Sequence, residues 1–238
     1  MSLNSPDQER IVELNEAQLA ERPGDDAAHE RLARALFALG HLEEAERHAA
    51  DAVRLDPDEA RYRELLAQVL AARGAHRDAA AEFARLAQRD PRQIAWTLAE
   101  ASARLEGAEL AASVEAARRA ARLAPDNADA QLTLARGLTQ VGDGPAALQA
   151  ATRAADLRPG DPAPREALAD ALWLNDRPTA AFAVYRELAG GSARDAAARV
   201  TAKARTLYRQ RSDGAGRAIT SVGFLFTIAL RRGWLRLK

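Results

Sequence analysis

The residues of this sequence with the widest chemical reach are its four histidines. His29 and His41 lie near a helix start and a turn, and His48 follows His41 by seven residues in His41-Leu42-Glu43-Glu44-Ala45-Glu46-Arg47-His48. Helical spacing would set His41, Glu44 and His48 along one face, the layout of a weak metal site. The preferred reading is a solvated surface, because exposed helix faces commonly carry Glu and His. The carboxylate pairs Glu43/Glu44 and Asp25/Asp26 read as solvated charges that favour a helix N-terminus. The sequence holds no phosphate-cradling G-x-x-x-x-G-K-[ST], no H-E-x-x-H, no G-x-S-x-G and no G-x-G-x-x-G after a strand. Gly190-Gly191-Ser192 reads as a hinge, not a phosphate loop. With no Cys, thiol nucleophiles, cysteine zinc sites and disulfides are excluded. No catalytic residue, cofactor or metal is expected.

The information lies instead in the elements. The 238 residues include 59 Ala and 32 Arg but only 2 Lys, and 5% are aromatic. Ala and Arg rank high in helix propensity and β-branched residues are sparse, so an all-α fold is expected. An apolar share of 47% beside 29% charge excludes global disorder. Met1 to Gln8 has neither a basic nor an apolar leader region, and no run reaches the roughly 18 apolar residues of a spanning helix. A soluble, cytoplasmic protein is expected, with the Ala- and Arg-rich coding bias of a GC-rich bacterial genome.

Self-similarity is strong. Pro23, Pro57, Pro91, Pro125 and Pro159 follow one another at 34 residues. Aligned on them, Leu32, Leu66, Leu134 and Leu168 form one column, each followed by Ala33, Ala67, Ala135 or Ala169. Further columns are Leu36/Leu70/Leu138/Leu172, Gly40/Gly74/Gly142 and Ala45/Ala79/Ala147/Ala181. The leucines give a one-sided helical stripe, the alanines allow close approach, glycine ends the first helix and proline stops the second. Asp25, Asp58 and Asp126 stand where an N-cap belongs. A two-helix unit cannot bury its own apolar face, so the units must stack into a solenoid.

The columns resemble the tetratricopeptide repeat family, whose pattern W-x2-L-G-x2-Y, A-x3-F, P has this period. The matching residues are His29, Leu32, Ala33, Leu36, Ala45, Ala49, Ala52 and Pro57 in one repeat, and Arg63, Leu66, Ala67, Leu70, Ala79, Phe83, Leu86 and Pro91 in the next. The resemblance implies a right-handed α-solenoid of stacked antiparallel helix pairs. The expected organisation is a leading helix over 1–22 with Ile11, Leu14 and Leu19 inward, repeats at 23–56, 57–90, 91–124, 125–158 and 159–193, and a cap over 194–238. Two features depart from the pattern. The opening aromatic is polar throughout (His29, Arg63, Thr97, Gln131, Arg165), and Glu100 and Arg104 occupy leucine columns in the third repeat. There Trp96, Leu98, Ala99 and Leu105 suggest a changed register, and Ala108 and Ser113 replace the usual Gly and Ala.

In this family the first helix of each repeat lines a groove that holds a peptide or a partner helix. Carried over by column, that groove comprises Glu30, Arg34 and Phe37; Arg61, Glu64 and Gln68; Leu98 and Ser102; Asp129, Thr133, Arg136 and Gln140; and Glu166, Asp170 and Trp173. The columns that would clamp a terminal carboxylate are largely acidic here, so a ligand with basic and apolar side chains is expected, with Phe37 and Trp173 as anchors.

The zero net charge hides two halves. Up to Ala193 there are 23 basic and 32 acidic residues, and beyond it 11 and 2. After Asp213-Gly214-Ala215-Gly216, residues 218–230 carry no charge, and Arg231, Arg232, Trp234 and Arg236 follow. This segment, with Phe224 and Phe226, must find a cover. Three covers stand open: its own solenoid as a degenerate repeat, a second copy or protein partner, and an anionic membrane surface. Nucleic acid is disfavoured by the acidic body. The expected function is a non-catalytic scaffold or adaptor for a protein or peptide partner. The alternatives are a self-associating or membrane-attached scaffold, or the recruiting subunit of an enzyme system.

Overall fold

The computed structural model describes residues 5–190, which form eleven α-helices and no strand. The expectations placed on 194–238, including Phe224, Phe226, Arg231, Arg232 and Trp234, lie outside the described residues. The chain divides into two compact units, Met1–Pro125 and Asp126–Lys238. The first contains α1 (Ser5–Glu21), α2 (Asp26–Leu39), α3 (Leu42–Leu55), α4 (Ala60–Ala72), α5 (His76–Arg89), α6 (Ile94–Glu106) and α7 (Leu110–Leu123). The second contains α8 (Ala128–Val141), α9 (Gly144–Leu157), α10 (Pro162–Leu174) and α11 (Pro178–Leu188). In each unit every helix packs on the next, and the odd-even alternation also sets α2 beside α4 and α8 beside α10.

The same devices end the helices in each 34-residue period. The first helix of each pair closes in a Schellman turn, with backbone bonds His41 N–H to Leu36 O, Ala75 to Leu70, Glu109 to Arg104, Asp143 to Leu138 and Arg177 to Leu172. The turn needs one left-handed residue. Gly40, Gly74 and Gly142 supply it at φ +83°, whereas Ala108 and Asp176 are held there at φ +59° and +60°. The second helix ends at the residue before proline (Asp56, Asp90, Ala124, Arg158), whose φ lies between −131° and −137°. The proline ring forbids that residue a helical conformation.

Two expectations about caps and register are corrected. The N-cap falls two residues after the proline, at Asp25, Glu59, Gln93, Asn127 and Asp161, so Asp58 and Asp126 are not caps. Asn127 Oδ1 accepts from the N–H groups of Asp129 and Ala130 at 2.9 and 3.0 Å, while Asp126 pairs with Arg153 at 2.8 Å. Nor is the third repeat shifted, since α6 begins and ends 34 residues after α4. Glu100 takes the buried leucine position, 3% exposed. It receives Arg104 Nε at 3.0 Å and Arg119 Nη2 at 2.6 Å, and Arg104 also reaches Glu109 at 2.9 Å. An ion network thus holds a position that apolar packing holds elsewhere, which lets the register persist.

Alanine columns make the tight contacts. Ala33, Ala67, Ala101, Ala135 and Ala169 are fully buried, as are Ala45, Ala79, Ala147 and Ala181. Ser113, in the latter column, is also fully buried and donates its hydroxyl to Ala101 O at 2.7 Å, which satisfies the polar group. In the first unit, Leu32, Ala33, Leu36, Ala45, Ala49, Leu65 and Val69 form one core cluster, against which Val12 and Leu19 pack.

The leading helix turns differently from expectation. Leu14 is 60% exposed, and the face of α1 that is buried carries Gln8 and Asn15 beside Val12 and Leu19. The polar residues are used: Asn15 Oδ1 accepts from Arg31 Nε at 2.9 Å, and Gln18 Nε2 donates to Asp25 at 2.7 Å. These bonds fix the rotation of α1 that leaves Leu14 outside.

Candidate functional site

The groove columns fall on the first helix of each pair, and their side chains differ in how available they are. On α2, Glu30 is 8% exposed and accepts from Arg34 Nε at 2.8 Å, so this acid is neutralised within its own helix. Phe37 is half-buried against the core cluster. On α4, Arg61 is exposed, with its guanidinium carbon 4.9 Å from the Tyr62 ring centre. The Tyr62 hydroxyl accepts from Arg61 Nη2 at 3.1 Å and donates to Asp26 at 2.8 Å, tying α4 to α2. Burial, with Asp26 beside it, pushes the phenol above its ordinary range and keeps it a donor. Glu64 meets Gln68 at 3.4 Å; on α6, Leu98 is half-buried and Ser102 exposed.

In the second unit, Asp129 is engaged by both Nη atoms of Arg158, at 2.8 and 2.5 Å, from the end of α9. That hydrogen-bonded pair raises the Arg158 pKa. Thr133 is half-buried, and Arg136 and Gln140 are exposed on α8. On α10, Glu166 is half-buried, Asp170 accepts from the buried Tyr185 hydroxyl, and Trp173 packs at the edge of the cluster of Ala169, Ala181 and Tyr185. The acids expected to meet a basic ligand are therefore largely committed: Glu30 to Arg34, Asp129 to Arg158 and Asp170 to Tyr185. Arg136 carries no ion pair among the described residues.

Two of the polar residues at the opening aromatic position, His29 and Arg63, have a shared use that the sequence did not reveal. His29 Nε2 lies 3.2 Å from Pro23 O, and Arg63 Nη2 donates to Pro57 O at 3.3 Å, each reaching back six residues. Each also crosses to the second helix nineteen residues on: Arg63 to Glu82 at 2.5 Å, and His29 Nδ1 to His48 Nδ1 at 3.0 Å. The His48 pKa lies below its ordinary range, first through burial and then through His29. His48 thus faces a neighbouring helix and not His41, which sits at the N-cap of α3 without a capping bond. A periodicity read along one helix could not find a pair that requires the register of two.

Among the described residues, no helix is long and apolar enough to cross a membrane. No curated protein sequence matches this one. Several solved structures are similar at low identity. MamA from Desulfovibrio magneticus RS-1 (residues 41 to the end) aligns at TM-score 0.63 and 16% identity, over 70% of this chain and 94% of that one. A tetratricopeptide repeat protein from Parabacteroides merdae ATCC 43184 aligns at 0.67 and 14%, over 87% of each chain. YrrB, described as a TPR protein with an unusual peptide-binding site, aligns at 0.58 and 15%, over 73% of this chain and 90% of that one. Profiles of the tetratricopeptide repeat match residues 11–69 and 132–198. Repeat period, helix pairing and sequence profiles agree, and the chain belongs to the tetratricopeptide repeat family.

Proposed function

We propose that the chain is a non-catalytic scaffold that takes a peptide or partner helix on the first-helix faces of its repeats, 23–56, 57–90, 91–124, 125–158 and 159–193. The observation carrying this reading is the side-by-side placement of α2 with α4, and of α8 with α10, with exposed polar side chains at the groove columns of α2, α4 and α8. YrrB, a fold relative, is described by its own peptide-binding site, which supports the same use here. Arg136, exposed and without an ion pair among the described residues, is the residue of α8 best placed to hold a ligand acceptor.

Selection of binding peptides from a displayed library against the full chain tests the reading. Selected peptides are expected to lose about tenfold in affinity on Arg136→Ala or Arg61→Ala, a change of about 1.4 kcal/mol. Peptides that bind both variants as tightly as the parent would place recognition elsewhere. A second reading is favoured by the charge division at Ala193, with 23 basic and 32 acidic residues before it and 11 and 2 after it. Here the basic segment 194–238, with Phe224, Phe226, Arg231, Arg232 and Trp234, docks on the acidic body or on a second copy. Light scattering of the full chain beside a version ending at Asp213 distinguishes them: a dimer formed by the full chain alone assigns the segment to self-association.

A further inference from the structure

His29, His48 and Asp51 bring one ligand atom each within 4.8 Å of one another, and this is the group of that kind among the described residues. We propose that the α2–α3 pair holds a divalent transition-metal ion of the zinc class, ligated by His29 Nδ1, His48 Nδ1 and a carboxylate oxygen of Asp51.

The orientation of His29 is the first support. Its Nε2 lies 3.2 Å from Pro23 O. A carbonyl only accepts, so Nε2 carries the proton, and the neutral ring turns the lone pair of Nδ1 toward His48. A backbone carbonyl holding the far nitrogen of an imidazole is the usual outer support of a metal-bound histidine. Without metal, His48 Nδ1–H donates to His29 Nδ1 across 3.0 Å. The ion takes the place of that proton, which moves to His48 Nε2, and no proton is released.

Geometry is the second support. At Zn–N bonds of about 2.0–2.1 Å, two nitrogens 3.0 Å apart subtend roughly 95° at the ion, and opening them to a tetrahedral angle takes about 0.3 Å. Asp51 follows His48 by three residues on the same face of α3. Both bonds from Arg54 go to Asp51 Oδ1, at 3.3 and 2.8 Å, and among the described residues none reaches Oδ2. His29 is 7% exposed, whereas the Asp51 side chain is 38% exposed. The site therefore has a rigid inner ligand and a wet rim, where water completes the coordination. Arg47, and Glu16 from α1, are the other charges that act on His48. Two imidazoles and one carboxylate select zinc, cobalt, nickel or copper over magnesium or calcium. The ion would fasten α2 to α3 where Arg63 and Glu82 fasten α4 to α5.

The test uses the untagged full chain, stripped of metal and kept in a non-coordinating buffer. It is titrated with Co2+ by visible absorption and with Zn2+ by calorimetry. The expected result is one equivalent bound, with binding abolished by His48→Gln, weakened at least about tenfold by Asp51→Asn, and unchanged by His41→Gln. Absence of saturable binding, retention of parental affinity in His48→Gln, or loss in His41→Gln would overturn the proposal. Circular dichroism checks that each variant is folded. If His48→Gln is not, the rim variant Asp51→Asn decides, and an unchanged Co2+ affinity there overturns the assignment.

Discussion

Ala108 and Asp176 sit at the left-handed position that glycine occupies in the other three turns, at φ +59° and +60°. A side chain there crowds the backbone by about 1 kcal/mol or more. Ala108→Gly and Asp176→Gly are each expected to stabilise the chain by about 1 kcal/mol, read as a higher urea midpoint with an unchanged slope. Asn127 makes the opposite case, since its side chain satisfies two N–H groups of α8 that have no helical partner. Asn127→Ala should cost about 1 kcal/mol in the same measurement. Asp25 caps α2 through the Ala28 N–H, and that bond holds its carboxyl below the ordinary range of 3.8. The folded state thus favours the ionised form. Its contribution is present above the unfolded-state value and is lost as pH falls through the lower folded value, so an acid titration of stability should flatten in Asp25→Ala.

At the scale of the helix pair, two kinds of packing meet. The first cluster relies on Ala33, Ala45 and Ala49 for close approach. Ala33→Leu should therefore overfill the interface and cost about 3 kcal/mol, measured by thermal or urea melts. The α6–α7 pair relies on Glu100 between Arg104 and Arg119. Arg104→Ala leaves a buried carboxylate with one partner fewer and should cost about 3 kcal/mol, while Glu100→Leu with Arg104→Leu should restore the stripe at no loss or with a gain. Equal stability of Arg104→Ala and the parent would show that Arg119 alone suffices.

Across the whole molecule, the helices were legible because proline, glycine and alanine act locally: each fixes a dihedral angle or a distance without reference to distant residues. What was not legible depended on neighbours. Asp58 and Asp126 look like caps, but the proline sets the helix start one residue beyond them. Glu100 and Arg104 read as a broken stripe because the charge of Arg119, nineteen residues along from Glu100, had no place in a pattern of single positions. The pairing of His29 with His48 was missed for the same reason, although each histidine was singled out. The groove columns are an assignment by family resemblance, and the ion pairs of their residues, such as Asp129 with Arg158, came only from structure.

The 34-residue interval also acts as a ruler for the gene. The segment from Asp56 to Glu59 and the segment from Asp90 to Gln93 carry the same sequence of tasks: extended residue, proline, spacer, cap. Cutting out residues 57–90 would therefore join Asp56 to Pro91 without disturbing a single helix end, whereas cutting one residue more would remove Pro91 and cutting one fewer would set Asp90 beside Asp56, spoiling the turn at that junction. Length variation in such a chain should arrive in whole cassettes, and a lone codon gained or lost inside a helix should be felt by the entire repeat.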